Sequence, residues 1–97
     1  TVAPHNPLGP ISLAACLQLD TCIPNFLVQE HPGNPDKSDL GVGYIKEPFV
    51  IKDGYIDVPT KPGLGVELDE EALKDKIYDG KWTTPRQYYE DGSNADW

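Results

Sequence analysis

The sequence is short of basic residues and of long apolar runs, and it contains no methionine. Eight Lys and Arg stand against sixteen Asp and Glu, which gives a formal net charge of -8. Nucleic acids and anionic membrane surfaces are bound by clustered basic residues, so neither is predicted as a partner. No stretch approaches the ~20 consecutive apolar residues that a membrane helix needs, so no transmembrane segment is predicted.

The chain has few cysteines, and its N-terminus has no features of a signal peptide. Cys16 and Cys22 lie in one apolar stretch, and we expect two free, buried thiols in a reducing compartment. The first ten residues have neither the basic nor the apolar region of a signal peptide. Together these features indicate a cytoplasmic protein. Because the chain begins without Met, in an apolar run, we also expect it to be a piece of a longer protein.

The residues that are present favour short regular elements of both kinds. Ten Pro and nine Gly interrupt a chain that is only 38% hydrophobic. Residues 1–5 are typical of the end of a strand, and residues 11–22 form a helical stretch that is apolar nearly all round. Residues 25–29 follow as a short apolar strand. An apolar strand after a buried helix predicts a parallel βαβ unit and hence an α/β fold.

The second half of the chain predicts a hairpin, a short helix and an aromatic tail. The pair Asp53-Gly54 suits a type I′ turn between two alternating strands, so residues 49–58 are predicted to form a β-hairpin. Asp69 can cap a helix over residues 69–77. The tail carries aromatic side chains that we expect to dock on another surface: Trp82, Tyr88, Tyr89 and Trp97.

Two residues stand where catalytic groups are found in α/β proteins. His5 and Glu30 each end a predicted strand, and a right-handed crossover brings both ends to one edge of the sheet. The pattern also allows a capping or core histidine and an ordinary surface acid. His31 follows Glu30 into a polar loop and is predicted to be solvated. A zinc site that combines these histidines with Cys16 and Cys22 has no recognised ligand spacing.

Several motifs together resemble a known family. They are PHNPLGP at residues 4–10, QE after the apolar strand at 29–30, and PGLGVE at 62–67. The chain resembles the acid-sugar dehydratases of the mandelate racemase/enolase superfamily, in particular the galactonate type. The resemblance implies the C-terminal end of a (β/α)8-type barrel, in which residues 1–30 are the last βαβ unit. Residues 31–97 would be a C-terminal segment that packs back on an N-terminal capping domain.

The same resemblance implies a lyase reaction and assigns roles to two residues. His5 corresponds to the base that removes the proton from C2 of a sugar acid, and an imidazole has the pKa for that step. Glu30 corresponds to the acid that hydrogen-bonds the substrate carboxylate and stabilises the enediolate, so we expect it to be protonated. Loss of the 3-hydroxyl then leads to a 2-keto-3-deoxy acid. The Mg²⁺ ligands of the family are expected to precede Thr1, so the isolated chain is predicted to be inactive.

Partners and alternative functions follow from this resemblance. The expected partners are the sugar acid, the remainder of the barrel with its capping domain, and further copies in a homo-oligomer. Another acid-sugar dehydratase or a racemase of the superfamily would use the same two residues. A non-catalytic acidic interaction module is the alternative from a different class. That module would need a complete core in 97 residues, and the largely apolar helix and strand count against it.

Overall fold

The structure is a computed structural model that describes residues 1–81 and 86–95. Its regular elements are few and short, as the many Pro and Gly residues predict. No helix in this part of the chain is long and apolar enough to cross a membrane. In chain order the elements are α1 (Pro10–Asp20), β1 (Ile51–Lys52), β2 (Tyr55–Ile56) and α2 (Glu70–Leu73).

Prolines limit helix α1 at both ends: Pro10 starts it, and Pro24 lies four residues beyond its last residue. Pro10 occupies its first turn, where a missing N–H costs nothing. The predicted helix extended to residue 22, but α1 ends at Asp20. The reason is Pro24, which has no N–H to donate to the Asp20 carbonyl and whose ring would clash with that group. Instead, the backbone N–H of Cys22 donates to the Leu19 carbonyl at 2.9 Å in a tighter turn.

Only one face of α1 is buried. Leu13, Ala14 and Leu17 are buried on that face, whereas Ile11 and Leu19 are 43% and 48% exposed. The prediction of a largely buried helix is therefore wrong for the part of the chain that the structure describes. The cause is the number of neighbours: the described elements cover one side of the helix and leave the other apolar side in contact with solvent.

The prediction of two buried thiols is also wrong. Cys16 is half-buried and Cys22 is exposed, and both are free. Cys22 lies in the turn after α1, because the helix is shorter than predicted. Its side chain therefore does not reach the buried face of the helix.

A parallel bridge joins the two segments that flank α1. Val2 pairs with Phe26 in the parallel direction. The backbone N–H of Val2 donates to the Asn25 carbonyl at 2.7 Å, and that of Leu27 donates to the Val2 carbonyl at 2.9 Å. The predicted parallel pairing of residues 1–5 with 25–29 is confirmed, although it extends over a single bridge. Both segments leave this bridge in the same direction.

The hairpin is confirmed but is shorter than predicted. Strands β1 and β2 are antiparallel, with Ile51 opposite Ile56 and Lys52 opposite Tyr55. The turn residues Asp53 and Gly54 have φ values of 51° and 82°, the two positive angles that a type I′ turn requires. The predicted strands began at residue 49, but the Phe49 N–H donates to the Leu40 carbonyl at 2.8 Å. That bond ties this end of the hairpin to the loop instead of to β2.

The core is small and lies between α1, the loop after Glu30 and the hairpin. Leu13, Leu17 and Leu40 form its buried centre. Phe49 and Ile56, both partly buried, pack against this centre. The hairpin is therefore held to the helix mainly by one cluster of apolar side chains.

Helix α2 is shorter than predicted, and part of the predicted aromatic tail is exposed. The Asp69 side chain accepts from the Ala72 N–H at 3.1 Å, which confirms the predicted cap. The helix predicted over residues 69–77 nevertheless ends at Leu73, and it buries no side chain. A short helix without tertiary burial is marginal, which explains the early end. In the tail Tyr88 and Tyr89 are exposed, and the other two predicted docking residues, Trp82 and Trp97, lie outside the described residues.

The small core generates a prediction for the isolated 97-residue chain. We expect it to self-associate and to show no cooperative thermal transition. Apolar burial contributes about 25 cal/mol per Å², whereas ordering costs about 1–2 kcal/mol per residue, so a core this small cannot offset ordering. Calorimetry and sedimentation velocity measure both properties. A monomer with one sharp calorimetric transition would contradict the prediction.

A pair of matched variants tests whether exposed apolar side chains cause the association. Leu27 is 64% exposed and Leu13 is completely buried. Leu27→Ser should therefore shift the sedimentation profile towards the monomer, because it removes apolar surface that is in contact with water. Leu13→Ser, which makes the same chemical change inside the core, should not reduce association.

Candidate functional site

His5 and Glu30 contact one another just beyond the parallel bridge. The His5 Nδ1 atom lies 2.9 Å from Glu30 Oε2. The same Glu30 oxygen accepts the backbone N–H of Asn6 at 2.8 Å. The His5 side chain is 80% exposed and that of Glu30 is 48% exposed. The structure thus brings both sequence-predicted site residues together, on an open surface of the described chain.

Local features of the sequence fix this geometry. Pro7 disfavours the helical region for Asn6, so the chain leaving His5 stays extended instead of folding back. The Gln29 side chain crosses between the two segments, and its Nε2 donates to the Pro4 carbonyl at 3.2 Å. Because the bridge and this crosslink both join the segments, His5 and Glu30 are held at the same end.

The Glu30 carboxyl is favoured in its ionised form. The backbone N–H of Asn6 and then the His5 side chain hold its pKa below the ordinary value of 4.5, although partial desolvation opposes them. Both partners donate, and a carboxylate oxygen accepts donors better than a carboxylic acid does. The lowered pKa thus favours the ionised form in the chain without ligand, whereas the protonated form expected opposite a substrate carboxylate stays a prediction. An ionised carboxylate orients a histidine but cannot donate to an anion.

The state of Glu30 also determines the tautomer of His5. Because an ionised Glu30 only accepts hydrogen bonds, the donor in this pair is the His5 Nδ1–H. In the neutral imidazole the other ring nitrogen, Nε2, then carries the lone pair. The arrangement can therefore present His5 Nε2 as a proton acceptor, with Nδ1 held by Glu30.

Asn6 is a residue of this site that sequence reasoning missed. It is 1% exposed, and its Oδ1 and Nδ2 atoms have no hydrogen-bond partner within the part of the chain that the structure describes. The sequence pattern could have indicated it, since side chains alternate along an extended chain. If His5 points outward, its neighbour Asn6 points inward.

His31 forms a second histidine–carboxylate pair, which corrects its predicted solvation. Its Nδ1 lies 2.9 Å from Asp39 Oδ2, and the Asp39 side chain is almost completely buried. The Gly33 N–H donates to the same Asp39 oxygen at 2.9 Å. Burial by itself raises the pKa of Asp39, but hydrogen bonds from His31 and from the backbone N–H groups of Gly33, Asn34 and Asp39 itself hold it below its ordinary value of 3.8. The pair closes the loop after Glu30.

The described residues do not supply a metal site. Among residues 1–81 and 86–95, no group of three or more His, Cys, Asp or Glu side chains could hold a metal ion. His5 and Glu30 form only a pair, and their mutual contact occupies one polar atom of each. A magnesium ion, which prefers octahedral oxygen ligands, does not fit this set of donors.

Residues 1–72 match the model of the enolase C-terminal domain-like family. The match covers most of the chain and includes His5, Glu30 and both predicted strands that flank α1. The chain belongs to this family.

The relatives that it resembles are larger enzymes. It is 40% identical over 101 residues to D-galactonate dehydratase of Pectobacterium atrosepticum, covering 99% of this chain and 26% of the relative. It is 44% identical to D-galactonate dehydratase of Xanthomonas euvesicatoria pv. vesicatoria, covering 98% of this chain and 26% of the relative. The enzyme of that name from Xanthomonas axonopodis pv. citri is 43% identical, with the same shares covered. The chain spans about a quarter of the length of these curated relatives.

The His31–Asp39 pair generates a prediction about the loop that it closes. Asp39→Ala should open this loop, because the Gly33 N–H loses its shorter contact, at 2.9 Å to Asp39 Oδ2, and keeps the longer one, at 3.2 Å to His31 Nδ1. His31 loses the buried carboxylate that anchors it. A hydrogen bond to a charged group contributes about 1.5–3 kcal/mol. Hydrogen–deuterium exchange of the Gly33 amide in the folded protein measures the opening. Asp36→Ala is the matched control: Asp36 is exposed and accepts hydrogen bonds from Ser38, not from Gly33, so Gly33 should keep its protection.

The same loop should respond to acid. A carboxyl whose folded pKa is lowered stabilises the fold above its unfolded pKa, and this contribution is lost as pH falls through the folded pKa. The contribution of Asp39 should therefore be fully present above about pH 5 and should disappear only below 3.8, its ordinary value. The Gly33 amide resonance reports the transition. A Gly33 shift with its midpoint well above 3.8 would contradict the assignment.

Proposed function

We propose that this chain is the C-terminal part of a Mg²⁺-dependent sugar-acid dehydratase of the galactonate type. In this proposal residues 1–30 form the last βαβ unit of a (β/α)8 barrel, and residues 31–97 pack back on an N-terminal capping domain. The observation that carries the proposal is the contact of His5 with Glu30 at 2.9 Å beyond a parallel bridge. It is supported by relatives named D-galactonate dehydratase at 40% to 44% identity.

His5 is the proposed base. Its Nε2 lone pair accepts the proton from C2 of the sugar acid, next to the substrate carboxylate. Its Nδ1–H remains hydrogen-bonded to Glu30. Proton removal produces an enediolate, and loss of the 3-hydroxyl as water gives an enol that becomes the 2-keto-3-deoxy acid. General-base catalysis of this kind contributes about 10²–10⁴ in rate. The open position of His5 leaves Nε2 accessible to a substrate.

Glu30 has two proposed roles that require different protonation states. Towards His5 it acts as an ionised acceptor that fixes the tautomer, which agrees with its lowered pKa. Towards the substrate carboxylate it acts as a donor, which requires a proton. The negative charge of a bound sugar acid raises the pKa of a nearby carboxyl, so substrate binding favours the protonated form. We therefore propose that Glu30 takes up a proton when the substrate binds.

The remaining parts of the reaction are assigned to residues outside this chain. They include the Mg²⁺ ligands and the acid that protonates the departing hydroxyl. Bound Mg²⁺ would supply positive charge next to the enediolate oxygens. The proposal further includes assembly as a homo-oligomer in the cytoplasm and predicts that the isolated chain is inactive.

The proposal predicts that His5→Asn in the full-length protein abolishes dehydration of D-galactonate. The amide cannot accept the C2 proton as a base, so exchange of the C2 hydrogen with solvent deuterium should be lost too. NMR measures that exchange independently of dehydration. Substrate binding, followed by calorimetric titration, should be nearly unchanged. Glu30→Gln should be milder, because its amide can still donate to the substrate carboxylate.

The control for this experiment is His31→Asn. His31 lies next to Glu30 in the sequence but pairs with Asp39. Its replacement should leave C2 exchange intact, although it loosens the loop. Substantial C2 exchange in His5→Asn would show that another residue is the base and that His5 is structural. A protein with C2 exchange but no dehydration of any sugar acid would instead favour a racemase of the same family.

A further inference from the structure

A cavity opens beside α1 on the side of the hairpin. Its volume is about 530 Å³, and it lies between the C-terminal end of α1, residues 26–29 and the hairpin. Apolar and aromatic side chains form most of its lining, among them Leu17, Phe26 and Tyr55. Its size is sufficient to admit a large side chain.

The cavity contains buried hydrogen-bond acceptors. Asp20 Oδ1, Asp20 Oδ2 and Gln29 Oε1 are buried and have no hydrogen-bond partner in the described part of the chain. Both residues line the cavity. The Gln29 amide cannot simply turn around, because its Nε2 donates to the Pro4 and Glu30 carbonyls at 3.2 and 2.6 Å. Its Oε1 is therefore fixed as an acceptor.

Asp20 is in an unfavourable position unless a cation lies next to it. It is the last residue of α1, where the helix dipole is negative. Burial raises its pKa above the ordinary 3.8. A buried carboxylate without a partner costs several kcal/mol, so such groups are normally paired. Nothing within this chain relieves that cost among the residues that the structure describes.

The other polar side chains that line the cavity do not supply a free cation. His31 lines it too, but its Nδ1 is engaged with Asp39. The Thr21 hydroxyl donates to the Gln18 carbonyl at 2.9 Å. No Lys or Arg belongs to the lining within residues 1–81 and 86–95. A group that is cationic, rich in donors and compatible with aromatic neighbours would match this lining.

We propose that an arginine side chain from the polypeptide outside these 97 residues inserts into this cavity and binds Asp20 and Gln29. This inference rests on the proposed function, in which the chain is about a quarter of the whole protein. A guanidinium offers five planar N–H donors, so it can pair with both Asp20 oxygens and still reach Gln29 Oε1. It is weakly hydrated and stacks on aromatic rings such as Phe26 and Tyr55. The ion pair would anchor the end of α1 to the rest of the protein.

The sign of a stability change tests this proposal. In the full-length protein Asp20→Asn should lower the thermal unfolding midpoint by roughly 5–10 °C, because it leaves a buried guanidinium without its counter-charge. If no cation is present, the same substitution removes an unpaired buried carboxylate, and the midpoint should stay the same or rise. Asp53→Asn is the matched control, since Asp53 is exposed in the hairpin turn. The thermal unfolding midpoint of the Asp53→Asn variant should not fall.

Double variants identify the partner. Each arginine outside the chain is replaced by Met, alone and together with Asp20→Leu. The partner arginine should lower the midpoint when replaced alone, and the double variant should recover most of that loss, since an apolar pair can replace a buried ion pair. This recovery also provides the test if Asp20→Asn does not fold. Additive effects for every arginine would overturn the proposal.

Other occupants give different results. The chain has a single arginine, Arg86, so coupling of Asp20 to Arg86→Met would indicate this chain or a second copy and would overturn the proposal. A small cationic ligand would be revealed by a wild-type midpoint that falls on exhaustive dialysis while no arginine couples to Asp20. Dehydratase activity is measured separately. An active enzyme whose Asp20→Asn variant is stabilised would refute the cavity proposal alone, and an inactive protein with a coupled arginine would refute the proposed function alone.

Discussion

The parallel bridge between Val2 and Phe26 is the contact on which the rest of the arrangement depends. It consists of two backbone hydrogen bonds, one on each side of Val2, at 2.7 and 2.9 Å. Because the paired segments run in the same direction, the residues that follow them emerge at one edge. His5 and Glu30 are 25 residues apart in sequence but meet at 2.9 Å for this reason. Without the bridge, the imidazole and the carboxylate would belong to unrelated loops.

The two histidine–carboxylate pairs of the chain differ in their surroundings and hence in what they can do. The His5–Glu30 pair is largely exposed, so its imidazole is open to a ligand. The His31–Asp39 pair is anchored on a buried carboxylate that also accepts a backbone N–H, so it stabilises the loop. The residue types and the Nδ1–oxygen distance are the same in both pairs. Burial and the additional hydrogen bonds distinguish the site from the structural pair.

The unsatisfied groups of the chain have a common pattern. Helix α1 exposes apolar side chains on the side away from the hairpin. Among residues 1–81 and 86–95, neither the buried carboxylate of Asp20 nor the buried amide of Asn6 has a hydrogen-bond partner. Buried polar groups in complete folds are almost always paired. These features agree with the proposal that the chain is part of a larger protein, in which other segments cover the helix and supply the donors.

Features that depend on neighbouring residues were determined by the sequence alone. Asp53-Gly54 produces the hairpin turn because both residues accept positive φ, and Asp69 caps α2 because its side chain reaches an N–H three residues on. The direction of the Val2–Phe26 bridge also follows from sequence order, since one helix separates the two strands.

Properties that depend on residues far away in the sequence were determined only by the tertiary structure. The apolar pattern of α1 could not show which face is covered, because the covering groups, Leu40 and the hairpin, come much later in the chain. His31 was predicted to be solvated because its partner Asp39 lies across a loop whose closure no local pattern specifies. The ionisation of Glu30 likewise depends on donors from a segment 24 residues away. The burial and the pKa of a side chain depend on all the residues that surround it in space. Those residues are determined only when the chain folds.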